Sequence, residues 1–128
     1  QLYSDKPILF RPHPRCPLTD IESQYKNVYR QRPQKLLDTY DDFDMSFDNT
    51  WATISWSSNP GIHSVIAGVP VFTGPSSLAW PVSNTGTETI DNPLMPNRQQ
   101  WLNDYAHTEY TIDEITQGIP LTYLTSLL

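Results

Sequence analysis

The sequence predicts an α/β fold, a Rossmann-like parallel sheet flanked by helices, over a single domain spanning residues 1–128. Three observations lead to this prediction. The pattern of residues 51–74 predicts a strand, a polar turn, a helix and a second strand. The apolar segment Ile8-Leu9-Phe10, bounded by prolines, is typical of another buried strand. Two helical patterns follow near the C-terminus. Because strands alternate with helices, a parallel layered sheet is favoured.

The segment 51–74 is the most informative part of the chain. It begins with WATISW, a β-branched and aromatic composition that predicts a buried strand. Ser58 or Asn59 can cap a helix that has Pro60 at its first position, where the missing N–H costs nothing. Gly68 is expected to end that helix. VPVF then predicts a second buried strand, parallel to the first.

The start of this helix is a candidate anion site. It lies at the carboxyl end of the first strand, where open α/β sheets bind ligands. Free backbone N–H groups, the positive end of the helix dipole and the Ser57 and Ser58 hydroxyls predict a bound phosphate. Asn59, Gly61 and His63 are further candidate contacts. The alternative is that these serines and glycines serve only as caps and turn residues.

Two further turns supply candidate ligand residues. The segment Arg11-Pro12-His13-Pro14-Arg15 follows the first predicted strand, and arginine forks with a protonated histidine suit a phosphate. A polar surface loop is the alternative interpretation. Ser76 and Ser77 follow the VPVF strand and are expected at the same sheet edge as Ser57 and Ser58.

The rest of the chain gives less specific predictions. Thr19 or Asp20 caps a predicted helix whose apolar face comprises Ile21, Tyr25, Val28 and Tyr29. The run Asp41 to Asp48 predicts an acidic loop or edge. A helix is expected over 97–107 with Trp101, Leu102 and Tyr105 inward. A last helix begins with a Thr111–Glu114 capping box and stops at Gly118.

Composition limits the classes of function. The net charge of −6 argues against direct nucleic-acid binding, although seven of the eight Lys and Arg residues fall between Lys6 and Lys35. No apolar run is long enough to span a bilayer, and a lone Cys16 cannot form an internal disulfide, so a cytoplasmic protein is expected. Neither the three histidines nor the acidic run has metal-ligand spacing, so no metal and no cofactor are expected.

In their joint order, these motifs resemble the C-terminal half of GT-B glycosyltransferases of the capsule-polysaccharide (Kdo-transferase) and bacterial sialyltransferase type. His13 and Pro14 match that family's HP motif, and Ser57 and Ser58 match its serine pair. The segment GIHSVIAGVPVF resembles the family pattern that follows the pair. The resemblance implies a nucleotide-sugar donor linked to CMP or UDP, with phosphate contacts from these residues and a catalytic role for His13.

Two departures from the family pattern shape the prediction. His63 stands where the family usually has Glu. The family's general base belongs to an N-terminal, acceptor-binding half that has no counterpart before His13. The chain is therefore expected to be a fragment of a longer two-domain enzyme and to be inactive alone. The alternative is a non-catalytic α/β binding or assembly module.

Overall fold

A computed structural model describes residues 3–12, 24–31, 35–36, 41–42 and 46–127, with only the backbone given at 35–36 and 41–42. The chain divides into two compact units, Gln1–Leu94 and Met95–Leu128. The strands of the first unit are β1 Ile8–Phe10, β2 Val28–Arg30, β3 Lys35–Leu36, β4 Asp41–Asp42, β5 Thr53–Ile54 and β6 Val71–Phe72. Among its described residues, this unit also has the helix α1 Pro60–Ile66, followed by 3-10 turns at Trp80–Val82 and Thr87–Thr89. The second unit holds α2 Gln99–Ala106, α3 Ile112–Thr116 and α4 Ile119–Ser126.

Short parallel strands and helices are mixed in this structure, as an α/β fold requires. β1 pairs with β2 in parallel. β5 and β6, which precede and follow α1 in the chain, also pair in parallel. The pair β3–β4 is antiparallel. Among the described residues these strands form three separate two-stranded sheets and not one continuous sheet.

The predicted helix beginning at Thr19 is wrong at its C-terminal end. Val28 and Tyr29, placed on its apolar face, lie in strand β2 instead. Asn27 adopts a left-handed conformation with φ 64°, which asparagine tolerates, and so turns the chain before the strand. The Asn27 carbonyl accepts a hydrogen bond from the Ile8 amide at 2.9 Å, which aligns β2 with β1. Thr19, Asp20 and Ile21 lie outside the described residues.

The first two residues of the acidic run lie at the edge of a sheet, one of the two predicted alternatives for the run. Asp41 and Asp42 form strand β4, which pairs with Lys35 and Leu36 of β3.

The β5–α1–β6 unit follows the predicted order. Pro60 lies at the first position of α1, and Gly68, with φ 79°, follows its C-cap. The Val69 amide donates to the Ser64 carbonyl at 2.9 Å and the Gly68 amide donates to the Val65 carbonyl at 3.1 Å. These two bonds form a Schellman motif, whose left-handed residue is best supplied by glycine. The predicted helix and its glycine stop are confirmed.

The core of the first unit forms where α1 packs on β6. Its buried apolar residues are Ile62, Val65, Val69, Val71, Phe72, Ala79 and Val82. The buried strand predicted for VPVF is confirmed at Val71 and Phe72. WATISW is not: only Thr53 and Ile54 form the strand, and Ile54 is 60% exposed. β5 has β6 as its one neighbour among the described strands, so one edge of β5 is unpaired there.

The second unit confirms two predicted helices and adds a third. Trp101 and Tyr105 of α2 are half-buried, and their rings stack with centroids 5.2 Å apart. Thr111 and Glu114 form the predicted capping box at the start of α3. Gly118, with φ 75°, ends α3 as predicted. It leads directly into α4, a helix that was not predicted and that carries Pro120 in its first turn.

The capping box makes α3 sensitive to pH. Hydrogen bonds from the Thr111 amide at 2.7 Å and from its hydroxyl at 2.9 Å lower the pKa of Glu114. A carboxylate whose pKa is lower in the folded state stabilises that state above its unfolded pKa, and the effect is lost as pH falls through the folded pKa. We therefore expect α3 to fray on acidification below the ordinary pKa of glutamate.

Amide hydrogen exchange of α3, measured by NMR across this pH range, checks the expectation. A Glu114→Gln variant is the matched control, because its amide side chain cannot titrate. The two proteins should differ at neutral pH and converge in acid. An acid-induced loss of protection of equal size in both would contradict the assignment.

None of the helices in the described part of the chain combines the length and apolar character that a membrane crossing requires.

Candidate functional site

The carboxyl ends of β5 and β6 bring two polar turns to one edge of their sheet. The Ser55 amide donates to the Phe72 carbonyl at 2.9 Å, and the Gly74 amide donates to the Trp56 carbonyl at 2.9 Å. Pairing therefore continues beyond the named strands as far as Trp56 and Gly74. Residues 57–59 and 75–77 leave the sheet immediately after these bonds. The sequence predicted this shared edge.

The backbone at the start of α1 differs from the anion site that was predicted. The Gly61 amide donates to the Ser58 carbonyl at 3.0 Å, and the Ile62 amide donates to the Asn59 carbonyl at 2.8 Å. The His63 amide also donates to the Asn59 carbonyl, at 3.2 Å. These first-turn N–H groups, which were expected to be free, are occupied because the chain enters the helix through a tight turn.

The amides that remain available belong to the turn before α1. Among the described residues, no hydrogen bond uses the amides of Ser57, Ser58 or Asn59 as donors. The side chains of these three residues are exposed, and Asn59 makes no side-chain cap. Three consecutive amides without an acceptor and two exposed hydroxyls thus lie next to the positive end of a helix dipole.

The other predicted residues of this edge have different environments. Gly61 is buried, and a Cβ there would lie 2.9 Å from Ser55 Oγ, so the position is sterically restricted. His63 is exposed, whereas its neighbours Ile62 and Ser64 are buried, which places it on the outer face of α1. His63 therefore lies away from the core side of the helix.

Ser76 and Ser77 differ in solvent exposure. Ser76 is exposed. Ser77 is buried, its amide donates to the Gly74 carbonyl at 3.1 Å, and its hydroxyl accepts from the Ala79 amide at 3.2 Å. The Ser77 side chain thus holds the turn after β6 together, and Ser76 is the serine of this pair that a ligand can reach.

Of the candidate phosphate-binding residues Arg11, His13, Pro14 and Arg15, the structure describes Arg11. It is half-buried, and its Nε donates to Gln31 Oε1 at 2.5 Å. This bond connects the carboxyl ends of β1 and β2, where the Gln31 amide also donates to the Phe10 carbonyl at 2.8 Å. His13, Pro14 and Arg15 lie outside the described residues.

Sequence reasoning missed two hydroxyls beside the predicted turn. Ser55 Oγ and Thr73 Oγ1 are buried, and neither has a hydrogen-bond partner. Thr73 is only 8% exposed. A buried hydroxyl without a partner is costly, so each is available to a water or ligand atom that reaches it. Ser55 lies between the exposed Ile54 and Trp56, so strand alternation was a signal for its inward-facing side chain. Thr73 lies in the continuously buried run 71–74, where alternation gave no such signal.

Within the described ranges, no group of three or more His, Cys, Asp or Glu side chains is arranged to hold a metal ion. No family model, no characterised protein and no solved structure matches the chain.

Proposed function

We propose that this chain is the donor-binding half of a metal-independent glycosyltransferase, with a Rossmann-like fold of the GT-B kind. The donor is a nucleotide sugar linked to CMP or UDP. One observation carries the proposal: unpaired amides at 57–59 and two exposed serine hydroxyls lie at the carboxyl edge of a parallel β–α–β unit. That place and those donors suit a phosphate.

The chemistry follows from charge. Transfer of the sugar leaves negative charge on the departing nucleotide phosphate, and preorganised N–H and O–H donors stabilise that charge. Ser57, Ser58 and Ser76 supply hydroxyls, the turn amides supply N–H groups, and His13 is the proposed catalytic residue that donates to the leaving phosphate. The role of His13 rests on the HP motif alone.

The proposed acceptor side lies elsewhere. The general base and acceptor site belong to an N-terminal half, so a nucleotide sugar bound here alone has no group positioned to deprotonate an acceptor. The acceptor class stays open between a glycan, a lipid-linked sugar and a nucleic-acid base. We expect slow donor hydrolysis at most from this chain alone, and we propose a cytoplasmic location for it.

Titration calorimetry of the 128-residue chain with CMP and UDP tests the proposal. We expect saturable binding that is lost in a Ser58→Ala, His13→Ala double variant, because the variant removes two of the phosphate donors. Ser126→Ala in the second unit is the control and should bind as the unaltered chain does. Failure of CMP, UDP and related nucleotides to bind would refute the proposal.

A second candidate, a non-catalytic assembly module, is favoured by one observation on the second unit. Apolar side chains on α3 and α4 are exposed, including Ile112 at 77% and Leu121 at 67%. Exposed apolar area of this kind marks protein interaction surfaces. Self-association in sedimentation analysis, combined with no nucleotide binding, would favour this candidate over the first.

A further inference from the structure

Trp56 is a large aromatic side chain on the surface of the candidate site. It is 71% exposed, although it directly precedes the Ser57-Ser58 pair and follows strand β5. Its backbone is fixed, since its carbonyl accepts the Gly74 amide at 2.9 Å. Tryptophan is rarely left this open without a partner, because its ring buries more apolar area than other side chains.

Gly74 shows how the indole is oriented. A Cβ at Gly74 would lie 2.5 Å from Cδ2 of Trp56 and 2.7 Å from both Cε2 and Cε3. These three atoms are bonded neighbours, so nearly equal distances place that point above the ring and not at its edge. One face of the indole therefore lies on the Gly74 backbone, and a side chain at position 74 would displace it. The opposite face of the indole is the one exposed to solvent.

We propose that this outer face of Trp56 is a stacking platform for the nucleobase of the donor. The inference rests on the proposed function, because it takes the phosphate to bind at residues 57–59. The platform precedes those residues at the same sheet edge, so one nucleotide contacts both, the base on the indole and the phosphate on the turn. Stacking on an aromatic ring accepts pyrimidines and purines alike, since every base has a π-face.

Trp51, which precedes β5 in the chain, provides a contrast. Its Nε1 donates to the Ile90 carbonyl at 2.6 Å, and the Lys6 ammonium lies 4.5 Å from its ring centroid. Trp51 thus already has a polar partner and a cation on its ring. It serves as the matched control, because it is a partly exposed tryptophan of the same unit with a structural role.

The experiment titrates the chain with CMP, cytidine and ribose 5-phosphate by calorimetry. We expect Trp56→Ala to weaken CMP binding about 5- to 150-fold, the range found when a stacking ring is removed. The same variant should leave ribose 5-phosphate binding unchanged, because that ligand has no base. Trp56→Phe should retain most of the affinity, and Trp51→Phe should retain all of it. Gly74→Ala should weaken CMP binding as well, since it displaces the indole without removing it.

The outcomes separate this inference from the proposed function. The stacking platform is overturned, and phosphate binding stands, in either of two cases. The Trp56→Ala variant binds CMP as tightly as the unaltered chain, or it loses affinity for ribose 5-phosphate as much as for CMP. If cytidine binds in a Trp56-dependent way and the phosphate adds nothing, the platform stands and the proposed function fails. If none of the three ligands binds, both are overturned. Circular dichroism of each variant verifies its fold.

Discussion

Replacing Phe72 by alanine is expected to destabilise the β5–α1–β6 unit strongly. Phe72 is 3% exposed and belongs to the core that α1 forms with β6. Truncating a buried phenylalanine typically costs about 3–5 kcal/mol, through lost burial and the cavity left behind. A domain of this size has a total stability of about 5–15 kcal/mol, so this change removes a large fraction of it.

Ile54 provides an internal control for this prediction. It is the register partner of Phe72 across the parallel pair, yet it is 60% exposed. Ile54→Ala should therefore cost under about 1 kcal/mol, because most of its side chain is already in water. Urea unfolding followed by circular dichroism measures both. Equal destabilisation by the two substitutions would contradict the placement of Phe72 in the core.

The features predicted correctly from the sequence are those encoded by short-range chemistry. Pro60 at the first helical position and Gly68 after the last fix α1 because proline presets φ and glycine accepts the left-handed turn. The Thr111–Glu114 box likewise acts within one helical turn. The same reasoning could have found α4, since Pro120 in the first turn after Gly118 is a helix-start signal.

The errors concern features that depend on distant parts of the chain. Val28 and Tyr29 have the β-branched and aromatic character of a strand, but their spacing also fitted a helix, and pairing with β1 decides between the two. The exposure of Ile54 depends on what packs on that face of β5, which its own sequence does not encode.

At the candidate site, the sequence predicts that the two serine turns share one sheet edge. It does not predict which hydrogen-bond partner each N–H or O–H group has. Ser77 and Ser76 are chemically identical in sequence, but the Ser77 hydroxyl bonds to the Ala79 amide and Ser76 remains exposed. The N–H groups of Gly61 and Ile62 were expected to be free, and a tight turn occupies them. Such differences are set by displacements of about an ångström, below what residue spacing specifies.

Ser58→Asp is expected to abolish phosphate binding while leaving the fold intact. A carboxylate placed about 4 Å from a bound phosphate repels it by about 4 kcal/mol at an effective dielectric of ~20. That energy corresponds to a loss of affinity for CMP of roughly a hundredfold to a thousandfold. The same negative charge lies just before the N-terminus of α1, where it interacts favourably with the helix dipole by about 0.3–1 kcal/mol. Stability should therefore be unchanged or slightly raised.

Ser58→Asn is the matched control, because asparagine has the shape of aspartate without its charge. Calorimetry with CMP and thermal unfolding of both variants measure binding and stability on the same samples. We expect the asparagine variant to bind CMP within a few-fold of the unaltered chain and the aspartate variant to show no measurable heat. If the two variants bind CMP equally well, the phosphate does not lie at residues 57–59, because a new charge there would have to repel it.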